Sequence, residues 1–328
     1  MKLLFIRFSS IGDIVLTTPV IRCVKQQLKN VEVHFLMKKS YADVLENNPY
    51  IDKKIYFEEN ESLIIEQLKK EKYDVVIDLQ KNFRSLRIKK ALGVKSFSFD
   101  KLNIQKWILV NFKINFLPKL HIVDRYMQAV KSLGVVNDGN GLDYFISPDD
   151  EAVINQIPSS HKNGYVAWVI GARHFTKRLP IEKMISISQK IKSPIVLLGG
   201  IEDVETGNIL SNENPSKIFN ACGKFSLNQS AALVKLSERV ITHDTGLMHI
   251  AAAFNKEIIS IWGNTVPEFG MYPYFGESQK SKVESQRLKI LEVKNLSCRP
   301  CSKIGFEKCP RGHFKCMREI NEDVFNNL

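Results

Sequence analysis

The feature that most restricts what this chain can fold into is a rhythm. Short runs rich in β-branched and aromatic residues alternate with helix-length amphipathic segments along most of its length. Runs at Lys2–Phe8, Glu32–Leu36, Lys54–Phe57, Asp74–Leu79, Tyr165–Ile170, Pro194–Leu198, Ile218–Ala221, Arg239–Thr242 and Glu257–Trp262 predict strands. Segments at Val15–Lys29, Glu61–Glu71, Val123–Leu133, Ile181–Ile191, Leu227–Leu236 and Leu247–Phe254 predict helices between them. Strands joined by helical crossovers pair in parallel, so the pattern predicts an α/β protein built of βαβ units. The rhythm lapses between Val135 and Ser160, where Asn137-Asp138-Gly139-Asn140-Gly141 and Ser147-Pro148-Asp149-Asp150 carry turn chemistry, and restarts at Tyr165. Two α/β halves are therefore expected, residues 1–150 and 151–328. Their strands should end at a shared cleft, where doubly wound sheets bind ligands.

At 328 residues each half is large enough for its own core, and 47 Lys+Arg against 35 Asp+Glu leave a net charge of +12. Such an excess points to an anionic partner: nucleic acid, an acidic membrane face or a phosphorylated substrate. The basic residues fall in scattered short groups such as Lys38-Lys39 and Lys89-Lys90, and no nucleic-acid-binding motif is present, so nucleic acid is not expected. No run approaches the ~18 apolar residues of a spanning helix. Met1-Lys2-Leu3-Leu4-Phe5-Ile6-Arg7 reads as a first strand and not as a secretion signal. A cytoplasmic location follows as an expectation.

Four segments sit where strands give way to loops. In Arg7-Phe8-Ser9-Ser10-Ile11-Gly12-Asp13, a carboxylate stands at a strand's carboxyl end. There Asp13 can take a proton from a hydroxyl nucleophile, or it can serve, with Thr17 and Thr18 before Pro19, only to cap a helix. Neither G-x-G-x-x-G nor a P-loop motif occurs, which removes support for dinucleotide oxidoreductases and P-loop enzymes. Gly171-Ala172-Arg173-His174-Phe175-Thr176-Lys177-Arg178-Leu179-Pro180 groups cations that suit an anionic leaving group or a solvated loop. After Leu198-Gly199-Gly200-Ile201, Glu202 or Asp203 can take ribose hydroxyls or simply favour a first helical turn. In His243-Asp244-Thr245-Gly246-Leu247-Met248-His249, Asp244 is a good N-cap. Thr245 and Gly246 would then offer backbone N–H groups to a phosphate, with His249 one turn further in.

A fifth segment holds Cys298, Cys301, Cys309 and Cys316 in a C-x2-C-x7-C-x6-C pattern, with His313 among them. The spacing suits a tetrahedral structural site for zinc or iron. Reduced thiols without metal are the alternative, and disulfides are disfavoured without a secretion signal. Cys23 and Cys222 read as small buried hydrophobes.

Taken in order, Arg7–Asp13 with Thr18-Pro19, His121-Ile122-Val123-Asp124-Arg125-Tyr126, Lys177-Arg178-Leu179-Pro180 and Asp244–His249 resemble glycosyltransferase family 9, the ADP-heptose:lipopolysaccharide heptosyltransferases. The resemblance covers essentially the whole chain. It implies a GT-B architecture: two Rossmann-like doubly wound domains facing a central cleft, acceptor-binding N-terminal and nucleotide-sugar-binding C-terminal. By the same resemblance Asp13 is the general base and Lys177 the cation that neutralises the departing diphosphate. Asp244, Thr245, Gly246 and His249 hold the donor, and Glu202 is a weaker candidate for the nucleoside. Ser10, Gln80, Asn82, Arg84 and Arg87 fall on the acceptor side. The implied reaction is an inverting transfer of heptose from an ADP-heptose-like donor to an anionic inner-core glycolipid at the inner membrane surface, with no catalytic metal. The Cys-rich tail reads as structural. The rival readings are a related transferase with another sugar or a protein acceptor, and a non-catalytic basic protein that binds nucleotide or nucleic acid.

Overall fold

In the computed structural model, residues 1–58, 60–276, 287–326 and 328 are described. Strands β1 (Lys2–Ile6), β2 (Glu32–Lys38), β3 (Lys53–Phe57), β4 (Val75–Asp78) and β5 (Lys95–Ser98) form one sheet in the order β3-β2-β1-β4-β5. Strands β6 (Val166–Val169), β7 (Ile195–Leu198), β8 (Ile218–Asn220), β9 (Arg239–His243), β10 (Glu257–Trp262) and β11 (Leu288–Glu292) form the other, in the order β11-β10-β9-β6-β7-β8. Every pairing is parallel. Counted from its own first strand, each sheet runs 3-2-1-4-5, the second adding a sixth strand: the Rossmann order, with the chain reversing direction beside β1 and beside β6.

Central strands covered on both faces must be apolar throughout, and β1, β4, β6 and β7 are buried over nearly their whole length. That continuous apolarity is what made them visible in the sequence. The expectation missed β5 and β11, both at sheet edges. Lys95-Ser96-Phe97-Ser98 has a single large apolar residue because its outer side needs no cover.

The helices α1 (Ile11–Val15) and α2 (Thr18–Gln27) replace the single expected helix from Val15. Thr17, not Thr18, is the N-cap of α2, and the Thr18 hydroxyl instead donates to the Val15 carbonyl at 2.8 Å. The helices α3 (Glu61–Lys70), α4 (Phe83–Leu92), α5 (Asn103–Phe112), α6 (Ile122–Met127) and α7 (Pro148–Glu151) complete the first part. They are followed by α8 (Ile181–Lys190), α9 (Val204–Glu213), α10 (Leu227–Leu236), α11 (Gly246–Ala253) and the short α12 (Lys315–Arg318). Among the described residues no helix is long and apolar enough to cross a membrane.

One buried apolar cluster runs through both sheets, from Leu3 and Phe5 through Ile14 and Val15 to Val240 and Ile250. The turn-rich segment after Val135 is fastened down. Arg22 of α2 donates to both Asp138 carboxylate oxygens at 2.7 and 2.8 Å and to the Gly141 carbonyl at 2.9 Å, and it pairs with Asp143. The Tyr144 hydroxyl donates to Asn228 at 2.7 Å, and Asn228 in turn donates to Glu46 at 3.1 Å.

Candidate active site

The loops that carry the chemistry leave the strands flanking each chain reversal. From β1 comes Arg7–Asp13, from β4 Leu79–Asn82, from β6 Gly171–Lys177 and from β9 Asp244–Gly246. The two sheets meet through α1 and α11. A Cβ on Gly12 would lie 2.6 Å from the His249 ring, and one on Gly246 would lie 2.7 Å from Ile11. Only glycine lets the two backbones approach this closely, and the approach sets the helix of Asp13 against α11. We expect Gly12→Val to lower stability by about 1–3 kcal/mol, the usual cost of overpacking, read by thermal unfolding.

Asp13 is the third residue of α1. Its carboxylate accepts from the Ser10 hydroxyl at 2.9 Å and backbone N–H at 3.3 Å, and pairs with Arg7 Nη2 at 2.6 Å. Arg7 is buried and fixed by its other donors: Nη1 reaches the Leu79 carbonyl at 2.6 Å and the Tyr126 hydroxyl at 3.1 Å, and Nε reaches the Ser9 carbonyl at 2.9 Å. Burial alone would push the Asp13 carboxyl up, but the Arg7 charge and the Ser10 hydrogen bonds hold it below the usual carboxylate value. The group is thus an oriented, ionised carboxylate at neutral pH, with about a quarter of its side chain open to solvent. The capping reading and the base reading describe the same oxygen contacts. Sequence reasoning gave Arg7 no role, although its place at the mouth of β1, six residues before a carboxylate, was the available signal.

On the other lip, Lys177 Nζ donates to Asp244 Oδ2 at 2.6 Å, an oxygen that also accepts from the Thr265 hydroxyl at 3.1 Å. Asp244 is therefore not the helix cap that its sequence position suggested. Thr245 is the N-cap of α11 in extended conformation, and Gly246 is the first helical residue. The Thr245 and Thr242 hydroxyls lie 3.3 Å apart. Burial pushes His243 and His249 down to about 4, so both are neutral imidazoles at pH 7. His243 Nε2 accepts from the Leu179 N–H at 3.1 Å and serves the fold. Among the described residues His249 Nδ1 is buried with no hydrogen-bond partner. Glu202 is exposed just past β7, while its neighbour Asp203 is buried, accepts from the Gly200 N–H at 3.0 Å and pairs with Arg178 at 3.2 Å. Of the cations after β6, Arg178 is thus occupied by Asp203, and Lys177 faces the Asp244 carboxylate.

The residues expected on the acceptor side have local partners. Gln80 Oε1 accepts from the Phe8 N–H at 3.0 Å and ties the β4 loop to the β1 loop. Asn82 caps α4 by accepting from the Ser85 N–H at 2.9 Å. Arg87 grips Glu61 through two hydrogen bonds, and Arg84 lies over the Phe57 ring at 4.7 Å and within 3.8 Å of the same Glu61. Asp78, buried at the end of β4, shapes this loop by accepting from Gln80 and Lys81 N–H and from the Ser85 hydroxyl.

Cations without an acid partner lie elsewhere. Lys101 and Lys106 have no ion-pair partner among the described residues, and the Asp13 charge acts on both. Burial pushes Lys106 down to about 8, helped by the like charges of Arg125 and Lys303. Arg125 is 2% exposed; its Nη2 donates to the Phe269 carbonyl at 3.0 Å, while Nε and Nη1 are buried without partners. Neither lysine stands in a motif, so the sequence gave no sign of them.

The Cys-rich tail departs from the expected tetrahedral shell. Among the described residues no group of His, Cys, Asp and Glu is placed to hold a metal ion, and all six cysteines are free. Cys298 Sγ lies 3.8 Å from His313 Nε2, and the Cys301 thiol donates to the Cys298 carbonyl at 3.0 Å. Cys316 is drawn into the second core by α12, beside Phe314, Met317 and Ile320, where it packs as a hydrophobe. Cys23 and Cys222 are buried, as expected.

The model of glycosyltransferase family 9 (heptosyltransferase) matches residues 63–300. The chain is 26% identical over 301 residues to lipopolysaccharide heptosyltransferase 1 of Campylobacter coli, a match covering 81% of this chain and 84% of that one. A family 9 glycosyltransferase from Veillonella parvula superposes with a TM-score of 0.77 at 21% identity, covering 99% of this chain and 95% of the other. E. coli ADP-heptose lipopolysaccharide heptosyltransferase II superposes at 0.71 and 18% identity, covering 97% and 98%. At these identities the superpositions establish the fold, which is GT-B. With the family model spanning most of the chain and two Rossmann-like sheets facing each other, the protein belongs to glycosyltransferase family 9, the heptosyltransferase family, and is a glycosyltransferase.

Proposed function

We propose that this enzyme transfers heptose from an ADP-activated donor to an inner-core lipopolysaccharide acceptor, with inversion at the anomeric carbon and Asp13 as the general base. The observation that carries the reading is the ionised, Arg7-oriented Asp13 carboxylate set one helix contact away from the Lys177–Asp244 pair and the N-terminus of α11. In this reading residues 1–150 bind acceptor and residues 151–328 bind donor. Asp13 accepts the proton of the attacking hydroxyl while the bond from the anomeric carbon to the diphosphate breaks through an oxocarbenium-like transition state. Lys177 and the N–H groups around Thr245 and Gly246 stabilise the charge that collects on the diphosphate, and no step passes through a metal. His249 Nδ1 and Glu202 are assigned to the donor's sugar and nucleoside. Acceptor carboxylates or phosphates are assigned to Lys101, Lys106 and Arg125, and further acceptor contacts to Ser10, Gln80, Asn82 and Arg84, with Arg87 engaged only if Glu61 releases it. The enzyme would work at the cytoplasmic face of the inner membrane, where such a glycolipid is presented.

The test is incubation of purified protein with ADP-heptose and a heptose-free inner-core glycolipid. ADP release coupled to a product with inverted anomeric configuration by NMR is expected; no product with either the glycolipid or its deacylated form would refute the reading. The tail is treated as structural, and elemental analysis of the same preparation reports whether it carries zinc or iron.

The role of Arg7 makes a separate prediction. Because the folded Asp13 pKa is depressed, the base is lost only as pH falls below the usual carboxylate range. In Arg7→Gln burial is no longer opposed by the guanidinium, so the acid limb of the pH–rate profile should move up by roughly 1–3 units. An unmoved limb would show that Arg7 does not set the Asp13 charge.

A further inference from the structure

The helix α5 carries two faces. Inward, Leu109 packs with Val266 and Phe269 from the second sheet's part of the chain, and the half-buried Lys106 feels the Asp13 carboxylate. Outward, Ile104 is 72% exposed, Trp107 54% and Phe112 61%, and the turn that follows adds Ile114 at 51% and Phe116 at 63%. The Trp107 and Phe112 rings meet edge to face with centroids 5.4 Å apart. Ile104, Trp107, Ile108 and Phe112 fall at i, i+3, i+4 and i+8, so the apolar exposure is a stripe along the helix. A contiguous apolar surface of this kind marks a docking site.

Charge identifies the occupant. Residues 101–119 contain four lysines, Lys101, Lys106, Lys113 and Lys119, and neither Asp nor Glu. Protein interfaces are depleted of lysine around their apolar cores, whereas bulky apolar side chains rimmed by lysines fit an anionic lipid surface. Place agrees with charge. The helix follows the carboxyl end of β5, on the side of the sheet from which the Asp13 loop leaves β1, and Lys113 Nζ donates to the Pro300 carbonyl at 2.7 Å, tying this edge to the Cys-rich tail.

We infer that α5 and the turn to Lys119 form the membrane-docking element of this enzyme, lying in the interfacial plane of an anionic bilayer. Trp107, Phe112 and Phe116 enter the boundary between headgroups and acyl chains, and the exposed Lys113 and Lys119 sit at the level of the lipid phosphates. The mouth of the cleft then opens onto the surface that carries a glycolipid, and the inner face of the same helix presents Lys106 to its anionic headgroup. The inference rests on the membrane-borne acceptor proposed above for its purpose, but the docking is measured without donor or acceptor.

Trp168 is fully buried and Trp262 is 1% exposed, so any response of tryptophan emission to lipid reports Trp107. Full-length protein titrated with phosphatidylglycerol-containing vesicles should show a blue shift, quenching by brominated acyl chains and co-flotation that weakens with salt. Phosphatidylcholine vesicles should give little of either. Trp107→Phe should silence the spectral change while leaving flotation in place, and the double variant Phe112→Ser/Phe116→Ser should cut vesicle partitioning at least tenfold with an unchanged circular dichroism melt. That double variant should also keep its turnover on a deacylated, water-soluble acceptor and lose it on the same acceptor in vesicles. Unchanged flotation of the double variant overturns the inference, as does a light-scattering shift from oligomer to monomer without loss of lipid binding, which would give the face to a second copy of the chain. Vesicle binding as described, in a protein that glycosylates no acceptor, would count against the proposed reaction and leave the docking element standing.

Discussion

Asp13→Ala and Asp13→Asn are both expected to lower the rate of transfer by on the order of 10²–10⁴, the range for removal of a positioned general base, while ADP still binds with near-native affinity. The split follows from where the residue sits. Asp13 belongs to the loop after β1, whereas the groups assigned to the diphosphate leave β6 and β9. The asparagine variant is the more informative of the two. It keeps the side-chain volume beside Arg7, but its single amide oxygen can serve Ser10 or Arg7 and its NH2 then faces the other donor, so some stability is lost here too and a rate loss far larger than the fall in melting temperature isolates the missing basicity. The alanine variant also strands the buried Arg7 guanidinium, and its melting temperature should fall. Calorimetric ADP binding beside steady-state turnover checks both statements, and wild-type turnover in Asp13→Asn would remove the residue from the chemistry.

Lys177→Ala should weaken ADP binding and reduce kcat/KM by about 10²–10³, the scale seen when one charge-stabilising donor is taken from a developing anion. Lys177 is held 2.6 Å from Asp244, so the ammonium is positioned and partly desolvated. Asp244→Asn should leave Lys177 available to the phosphates but less well placed, costing transfer rate more than ADP affinity. Lys177→Arg is not expected to restore the native rate, because a planar guanidinium cannot take the place of a compact ammonium in the same geometry. Equal kcat/KM for Lys177→Ala and wild type would exclude the assignment.

The central strands were legible because a parallel strand covered on both faces has to be apolar along its length, as Leu3-Leu4-Phe5-Ile6 and Ile195-Val196-Leu197-Leu198 are. Edge strands escape that requirement, which is why Lys95–Ser98 and Leu288–Glu292 went unseen. The loops at strand ends were legible for a related reason. Loops of small, polar and charged residues follow apolar runs where the chain leaves the sheet, and Asp13, Lys177 and Asp244 lie in such loops after β1, β6 and β9. The role of each loop carboxylate was less legible, since a cap and a base share one residue type and one position: Asp244 reads as a cap and is instead the partner of Lys177.

The chain by itself determined the α/β class, the parallel sheets, the family and the loops that carry charge, because these depend on local periodicity and on the order of short motifs. Tertiary structure alone decided which charges act on one another. Arg7 and Asp13 are near neighbours in sequence, but the buried anchor of Arg7 comes from Leu79 and Tyr126, and the helix contact through Gly12 joins α1 to a residue on α11. Arg87 looked available and is held by Glu61, Arg84 lies over the Phe57 ring near the same carboxylate, and Lys101 and Lys106, unremarkable in sequence, have no acid of their own among the described residues and lie within reach of the Asp13 charge. The physical reason is that electrostatic pairing depends on distance and burial in space. A pattern of residue types along the chain records which charges exist and leaves open which of them remain unneutralised.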